Sequence, residues 1–354
     1  MSPSIPHQQN ALILETKGGP FVLGTRPVPT AGPGDLLVKI HAAGLNPVDW
    51  KIQAWKVFIE EFPAVVGQDI AGEVVAVGDG VDGWRTGDRV YFHGPYNDGR
   101  YGGFQEYTLV AAEIAAKIPA NLSYSEAATI PVACHTAAYG LFAPLPIGAG
   151  LTAPFDGTAA YTGQPVLVIG GSASCGQYGI QFLRLAGFSP IITYASARHA
   201  AYLKSLGATH VLDRALIPLD AAALRAAIHA IAPIEGGGLP LVYDAVCTAE
   251  AQNAGYAQLR AGGTLVTLLA SAVEAPVPGT RVLHVLGGVH IGPEHRAWGL
   301  RLATALPPLF ADGRLVPNRV ETLPHGLAGI RDGLARMQHE GVSGVKLVGL
   351  PMDA

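Results

Sequence analysis

The chain has 354 residues, which is enough for one to three domains with sizeable hydrophobic cores. Its formal net charge is -4 and it has no basic run, which argues against nucleic acid as a partner, and no apolar stretch reaches the roughly 18 residues of a membrane span. Because no apolar stretch is long enough for a span, we expect no membrane contact. Cys134, Cys175 and Cys247 lack the spacing of a disulfide framework or a thiolate metal site, so we expect a reducing, cytoplasmic environment.

The first third of the chain has the pattern of short β-strands. Residues 36–41 (LLVKIH) and 70–77 (IAGEVVAV) are rich in β-branched residues and are bounded by glycine and proline. Residues 78–80 (GDG) and 86–88 (TGD) are typical of turns. This segment predicts a small β-barrel that bends at its glycines.

The middle of the chain alternates apolar runs with helical patterns. The run at 165–170 (PVLVIG) is continuous, as expected of a parallel strand that is buried on both faces. Similar runs follow at 190–194, 210–212, 241–243, 264–268 and 282–286, with helical patterns at 178–186 and 199–206. The alternation predicts an α/β architecture with a doubly wound parallel sheet. Residues 144–165 are rich in Gly, Pro and Ala and predict a long surface loop.

The last part predicts two helices, at 294–311 and 327–340, and a strand at 345–348. Pro307 and Pro308 should break or bend the first helix, because proline removes a hydrogen-bond donor and clashes with the preceding turn.

A phosphate-binding loop is predicted directly after the strand at 166–169. The small residues Ala173, Gly176 and Gly179 have the spacing A-x-x-G-x-x-G, and a helical pattern starts there. Backbone N–H groups and the positive end of a helix favour a pyrophosphate at such a turn. We assign to this loop the cofactor-binding residues Gly171, Ser172, Ala173, Ser174 and Gly176.

The end of the second strand distinguishes NADPH from NADH. An acidic residue there binds the ribose 2′-hydroxyl of NAD, whereas a basic residue accommodates the 2′-phosphate of NADP. Residues 191–199 (IITYASARH) contain no carboxylate but do contain Ser196 and Arg198, which favours NADPH. The alternative is that Arg198 is merely solvated at a helix start. We also assign Leu269, after the run at 264–268, to the cofactor site.

A family resemblance rests on residues 67–72 (GQDIAG), followed by Gly78 and Val81. This pattern resembles the signature G-H-E-x-x-G-x(5)-G-x-x-V of medium-chain alcohol dehydrogenases. Gln68 stands where that family has a zinc-binding His, and Asn46 stands where it has a zinc-binding Cys. The family's cluster of four cysteines is absent. A zinc site needs three or four converging ligands, so we expect no metal.

Several further segments resemble the trans-acting enoyl reductases of fungal polyketide synthases, of the lovastatin-pathway type. These are 46–51 (NPVDWK), 87–92 (GDRVYF), 102–108 (GGFQEYT), 115–131 (AAKIPANLSYSEAATIP), 203–213 (LKSLGATHVLD), 312–316 (DGRLV) and 342–350 (VSGVKLVGL). The resemblance implies a GroES-like catalytic domain at 1–122 and 317–354, with an inserted Rossmann domain at 123–316. It places the active site in the cleft between them.

The resemblance also implies the chemistry: NADPH-dependent hydride transfer to the activated C=C bond of a polyketide held as an enoyl thioester. Lys51 is our candidate for stabilising the charge that develops on the carbonyl oxygen. Thr136 matches a position beside the nicotinamide, and Asn46 would orient the nicotinamide or its ribose. Arg214 stands where a Tyr usually holds the adenosine end, so it either contacts phosphate or has no role. Two alternatives stay open: Lys51 is a surface side chain in a loop, and Thr136 is an ordinary helix residue.

Two rival functions also stay open. One is a stand-alone reductase of free quinones or enones, and the other is a non-enzymatic NADPH-binding protein. If the substrate is carried by an acidic carrier protein of a polyketide synthase, recognition calls for a basic rim. With 23 Lys and Arg against 27 Asp and Glu, that rim must be small, and its contributors would be Lys51, Lys56, Arg85 and Arg100.

Overall fold

The computed structural model describes residues 5–157, 159–231 and 237–353. They form two compact units. The first comprises residues 5–132, 288–311 and 317–353 of the described chain, and the second comprises the described residues between 133 and 287 together with Asp312–Val316. In the described chain, no helix is long and apolar enough to cross a membrane.

The strands are, in chain order, β1 Gln8–Leu14, β2 Phe21–Pro27, β3 Asp35–Gly44, β4 Ala64–Val65, β5 Asp69–Val77, β6 Arg89–His93, β7 Tyr107–Ala111, β8 Ala116–Lys117, β9 Val166–Ile169, β10 Ile191–Ala195, β11 His210–Asp213, β12 Leu239–Asp244, β13 Leu259–Thr267, β14 Arg281–His284, β15 Val320–Thr322 and β16 Lys346–Gly349. The α-helices are α1 Pro47–Trp55, α2 Tyr124–Ala127, α3 Pro131–Phe142, α4 Ser174–Leu185, α5 Ala200–Leu206, α6 Ala221–Ile231, α7 Ala249–Tyr256, α8 Pro293–Ala311 and α9 Gly326–His339.

The first unit is built on two sheets whose strands pair mostly antiparallel, with β15 and β16 paired in parallel. A small sheet has the order β2-β1-β4, and a larger one has the order β15-β16-β3-β5-β6-β8, with β7 also paired to β3. The predicted strands at 36–41 and 70–77 lie within β3 and β5, which pair with register shifts that bend the sheet. Gly72 makes this bend sterically feasible, because a Cβ there would lie 2.2 Å from the carbonyl oxygen of Lys39. Apolar side chains from both sheets form one buried core.

The second unit contains a parallel sheet of order β11-β10-β9-β12-β13-β14. Each of the six apolar runs predicted as parallel strands coincides with one of these strands. The order reverses between β9 and β12, and ligands bind at such a reversal, outside the carboxyl ends of the strands. The first turn after β9 is therefore where a dinucleotide site is expected.

We expected Pro307 and Pro308 to break or bend a helix, and a break is wrong, because α8 continues through both to Ala311. Proline inside a helix costs about 3 kcal/mol or more. The helix persists because Leu306, Leu309 and Phe310 are buried, and burying large apolar side chains contributes about 1.5–3 kcal/mol each.

Candidate functional site

The glycine loop connects β9 to α4 in the second unit. Gly170 has φ 79°, a left-handed conformation that glycine adopts without strain. Ala173 is the N-cap of α4, and its N–H donates to the carbonyl of Gly170 at 2.9 Å, which closes the turn. The backbone N–H groups at the start of α4 thus follow directly after the carboxyl end of a central strand.

Gly171, Gly176 and Gly179 allow three close approaches. A Cβ at Gly171 would lie 2.0 Å from the hydroxyl oxygen of Thr193 on the neighbouring strand, and one at Gly176 would lie 2.2 Å from the carbonyl oxygen of Gly170. A Cβ at Gly179 would lie 3.0 Å from the ring of Tyr243, where α4 packs on β12. Two positions of the predicted spacing, Gly176 and Gly179, therefore have a steric reason, and so does the neighbouring Gly171. A cofactor pyrophosphate fits this loop, since backbone N–H groups at a helix start and the helix dipole favour a phosphate.

The turn after β10 carries Ser196 and Arg198. Arg198 is exposed, and its Nε donates to Nε2 of the buried His199 at 3.1 Å. Its remaining guanidinium N–H groups are suited to a phosphate. Asp213, at the end of β11, accepts a hydrogen bond from the N–H of Ala197 at 3.2 Å. The segment 191–199 has no carboxylate, but the fold brings one to its turn from the neighbouring strand.

Arg214 and Leu269 also belong to the second unit. Arg214 is exposed, and its backbone N–H donates to the carbonyl of Ala195 at 3.0 Å, so it lies beside the turn of Ser196. Leu269 is partly buried and lies two residues beyond β13. The structure therefore groups Arg214 with Ser196 and Arg198, and it places Leu269 after another strand of the same sheet.

A buried polar network in the first unit joins Asn46, Asp69 and Lys346. The Asn46 Nδ2 donates to Asp69 Oδ2 at 2.9 Å, while Lys346 Nζ donates to Asn46 Oδ1 at 2.5 Å and lies 2.7 Å from Asp69 Oδ2. The other Asp69 oxygen accepts from the N–H of Val132 at 2.6 Å. All three side chains are at most 3% exposed. We call this set the amide network; it fixes the orientation of the Asn46 carboxamide.

Zinc does not fit this position. Asn46 offers a carboxamide whose oxygen is already bound, and the ammonium of Lys346 would repel a divalent cation. Gln68, the counterpart of the family's zinc-binding His, also offers only an amide. Among the described residues, no group of three or more His, Cys, Asp or Glu side chains could hold a metal ion.

Asp49 and Gln68 lie beside the amide network and are fully buried. Asp49 Oδ2 accepts from the Asn46 N–H at 2.7 Å and so stabilises the start of α1. Burial raises the pKa of Asp49 to about 8, against the hydrogen bond from Asn46, and the charge of Asp69 adds to the rise. Asp49 Oδ1 and both polar atoms of the Gln68 side chain have no hydrogen-bond partner within the described chain.

Lys51 lies in a helix and not in a loop as expected, because Pro47 at the first position and Asp49 at the third start α1 in this segment. The Lys51 ammonium lies 4.7 Å from the ring centroid of Trp55, one helical turn later, and 5.7 Å from that of Trp50. These aromatic faces attract the cation and hold it at the surface of α1.

Thr136 lies in α3 and belongs to the second unit, whereas Lys51 and Asn46 belong to the first. Gly287 packs against Thr136, because a Cβ on Gly287 would lie 2.5 Å from the threonine Oγ1. The neighbouring Cys134 and His135 are buried, and burial lowers the pKa of His135 to about 4, which keeps its ring neutral at physiological pH.

Sequence reasoning missed two side chains of this site. Lys346 stands in the apolar segment VKLV at 345–348, and a lysine inside a buried strand signals a carboxylate partner, since buried charges are paired. Nothing in the local sequence indicates the contact of the Asp213 carboxylate with the Ala197 N–H, because this contact depends on the pairing of β10 with β11.

Comparisons with known proteins agree with this architecture. Residues 32–120 match the alcohol dehydrogenase GroES-like domain, and residues 175–291 match the family described as zinc-binding dehydrogenase. A trans-enoyl reductase of Aspergillus niger is 33% identical over 373 residues, covering 98% of this chain and 98% of that protein. A chloroplast envelope quinone oxidoreductase homolog of Arabidopsis thaliana is 37% identical over 190 residues, covering 53% of this chain and 54% of that protein.

Among solved structures, a mycobacterial protein in complex with NADPH superposes with a TM-score of 0.76 at 25% identity, covering 97% of this chain and 100% of that one. The family resemblance predicted from the sequence is confirmed by these matches. Both domain families match this chain, and a protein named trans-enoyl reductase is similar to it over nearly the whole length of both. The chain therefore belongs to the trans-enoyl reductase family of the medium-chain dehydrogenase/reductase superfamily and is an oxidoreductase.

Proposed function

We propose that this chain is an NADPH-dependent, trans-acting enoyl reductase that reduces the activated C=C bond of a polyketide intermediate. The amide network of Asn46, Asp69 and Lys346 carries the proposal. An ion pair and an amide stand where a metal-dependent relative would hold its metal. A substrate whose carbonyl oxygen needs only hydrogen-bond donors or a nearby cation suits such a site.

The second unit would hold the cofactor. The glycine loop, with Gly171, Ser172, Ala173, Ser174 and Gly176, would take the pyrophosphate, while Ser196, Arg198 and Arg214 would take the 2′-phosphate. Leu269 and Thr136 would contact the nicotinamide half. When bound, NADPH supplies the hydride. The solved NADPH complex of a similar protein supports this assignment.

The first unit would bind and activate the acyl group. Lys51 would stabilise the negative charge that develops on the thioester carbonyl oxygen, for which its ammonium must turn away from Trp55. Asn46, whose carboxamide is fixed by Lys346 and Asp69, retains one N–H for the nicotinamide or its ribose. Asp49 would hold the start of α1, which carries Lys51.

The substrate would arrive as a thioester on the carrier protein of a polyketide synthase, in the cytoplasm. Similarity to a protein named as a trans-enoyl reductase supports this reading. The test compares one enoyl chain as a carrier-bound thioester, as a pantetheine thioester and as a free enone, by following NADPH consumption. Both thioesters should be reduced, and the carrier form should give the higher kcat/KM at low concentration.

A stand-alone quinone or enone reductase is the second candidate, and similarity to a quinone oxidoreductase homolog favours it. Turnover of a quinone or a free enone, with no turnover of either thioester, would establish this function in place of the first.

A further inference from the structure

Tyr96 lies on a loop that is fastened beside the amide network. Strands β5 and β6 pair so that His93 lies opposite Asp69. One residue later, the N–H of Gly94 donates to the carbonyl of Gln68 at 2.9 Å. The loop thus starts at the strand end that carries the network, and Tyr96 follows two residues later within the same unit.

The ring of Tyr96 is held from two sides. It stacks on Phe58, with ring centroids 5.1 Å apart and planes at 24°, and it meets His93 edge-on, with centroids 6.3 Å apart. Phe58 has φ 68°, and a non-glycine residue in this left-handed region costs about 1–3 kcal/mol. These two ring contacts fix the position of the Tyr96 ring.

The hydroxyl of Tyr96 is available as a donor. It exchanges no hydrogen bond with the part of the chain that the structure describes, and the residue as a whole is partly buried. Burial raises the pKa of Tyr96 well above its usual range, and the charges of Asp49 and Asp69 raise it further. The phenol therefore stays protonated throughout the physiological range.

Building on the proposed enoyl reduction, we propose that Tyr96 is the acid that protonates the α-carbon of the substrate. Hydride addition to the β-carbon turns the C=C electron pair into an enolate. The enolate α-carbon then takes the proton of the Tyr96 hydroxyl, so that a C–H bond forms as the O–H bond breaks. Water returns a proton to the phenolate and restores the starting state. An enolate carbon is a stronger base than a phenolate, so the transfer runs in this direction.

Two observations favour Tyr96 over the other ionisable groups near the network. Lys346 Nζ is buried and donates to Asn46 and Asp69, so it has no path to a substrate. The Asp49 carboxyl is fully buried as well. Tyr96 is only partly buried, and it combines a fixed ring with a hydroxyl that exchanges no hydrogen bond with the described residues.

The test uses the full-length protein with the substitution Tyr96→Phe and the matched control Tyr101→Phe, which removes a hydroxyl that donates to Asp35 at 3.0 Å elsewhere in the same unit. An enoyl pantetheine thioester is reduced in D2O, and NMR of the product gives the configuration of the deuterium at the α-carbon. NADPH affinity and thermal stability are measured alongside. Tyr96→Phe should lower turnover by about 10²–10⁴-fold, the usual contribution of a general acid.

We expect the residual product of Tyr96→Phe to lose the single α-configuration. The NADPH affinity and the Tm of this variant should stay near those of the unmodified protein. The Tyr101→Phe variant should keep both turnover and configuration. Unchanged turnover and configuration in Tyr96→Phe would overturn the assignment, as would a matching loss of NADPH binding or of the fold. If the unmodified protein reduces no thioester or enone, the proposed function itself fails, and this result is distinct because it needs no variant.

Discussion

The turn after β10 carries Arg198 and is contacted by Asp213, which has the opposite charge. Asp213 accepts from the Ala197 N–H, so its carboxylate is engaged in shaping the turn, while the exposed guanidinium of Arg198 is oriented by His199. A cofactor 2′-phosphate at this turn would therefore meet Arg198 as a donor. A free carboxylate at the same turn would instead favour the 2′-hydroxyl of NADH.

Arg198→Ala should weaken NADPH binding roughly ten- to a hundredfold, because one hydrogen bond between charged groups contributes about 1.5–3 kcal/mol. NADH affinity should stay nearly unchanged, since NADH has no 2′-phosphate. Fluorescence titration with both cofactors measures the two values. Arg225→Ala, which removes an exposed arginine of α6, serves as the charge-matched control. Equal affinities of the unmodified protein for NADPH and NADH would contradict the assignment.

Asp49 makes stability depend on pH. Its pKa is about 8 in the folded protein, against an ordinary value of 3.8, so the folded state holds a proton that the unfolded chain releases between these values. The free energy of unfolding therefore falls as pH rises through that window, and the loss is complete above the folded pKa. Asp49→Asn keeps an oxygen for the Asn46 N–H without a titrating group. Its Tm relative to the unmodified protein should rise from about pH 5 to about pH 9, and a constant difference would refute the raised pKa.

Candidate site residues could be predicted from the sequence only where their role depends on residues close to them in the chain. The glycine loop depends on spacing within one turn, so Gly171 and Gly176 were predictable together with their steric role. The roles assigned to Lys346 and Tyr96 depend on residues far away in the chain, because only strand pairing places these two residues near Asp69.

Among the elements, the strands of the parallel sheet were the most predictable, because burial on both faces leaves continuous apolar runs. Two local signals failed. Pro307 and Pro308 do not end α8, since buried apolar contacts outweigh their cost. The segment of Lys51 forms α1, where a loop was expected, because Pro47 and Asp49 supply helix-start chemistry in a stretch without apolar periodicity.

The close packing of the turn between β9 and α4 predicts that a side chain at Gly176 disturbs both cofactor binding and stability. Gly176→Ala would place a methyl group 2.2 Å from the Gly170 carbonyl oxygen, so the turn must open. Overpacking of this kind typically costs about 1–3 kcal/mol, and NADPH affinity should fall together with Tm. Gly292→Ala is the control, because a Cβ there meets nothing within 4 Å. A Gly176→Ala protein with normal NADPH affinity would exclude the loop as the pyrophosphate site.

For the molecule as a whole, the charge balance limits how a carrier protein can be recognised. The net charge is -4, and two of the four basic side chains expected to form a rim are engaged: Arg85 pairs with Asp88, and Arg100 pairs with Asp98. Lys56 remains exposed at the end of α1, next to Trp55. A contact with an acidic carrier should therefore be weak and should depend on few charges.

Lys56→Ala should lower kcat/KM for a carrier-bound enoyl thioester by about two- to fivefold, the effect of losing one exposed charge pair of up to about 1 kcal/mol. The pantetheine thioester should be reduced as before, because it lacks the acidic surface. Arg314→Ala, in a segment assigned to the second unit, is the control. Equal losses with both thioesters would show that Lys56 acts on the acyl group and not on the carrier.

The ion pair between Asp69 and Lys346 joins segments that are synthesised far apart in time. The hydrogen bond that joins Asn46 to Lys346 spans 300 positions, and the whole second unit is translated between them. Until β16 emerges from the ribosome, the nascent first unit must bury the Asp69 carboxylate without its ammonium, and an unpaired buried charge is strongly unfavourable. We therefore expect the parallel sheet to fold co-translationally ahead of the barrel that precedes it in the chain, and a nascent chain that stalls before residue 346 to remain a substrate for chaperones.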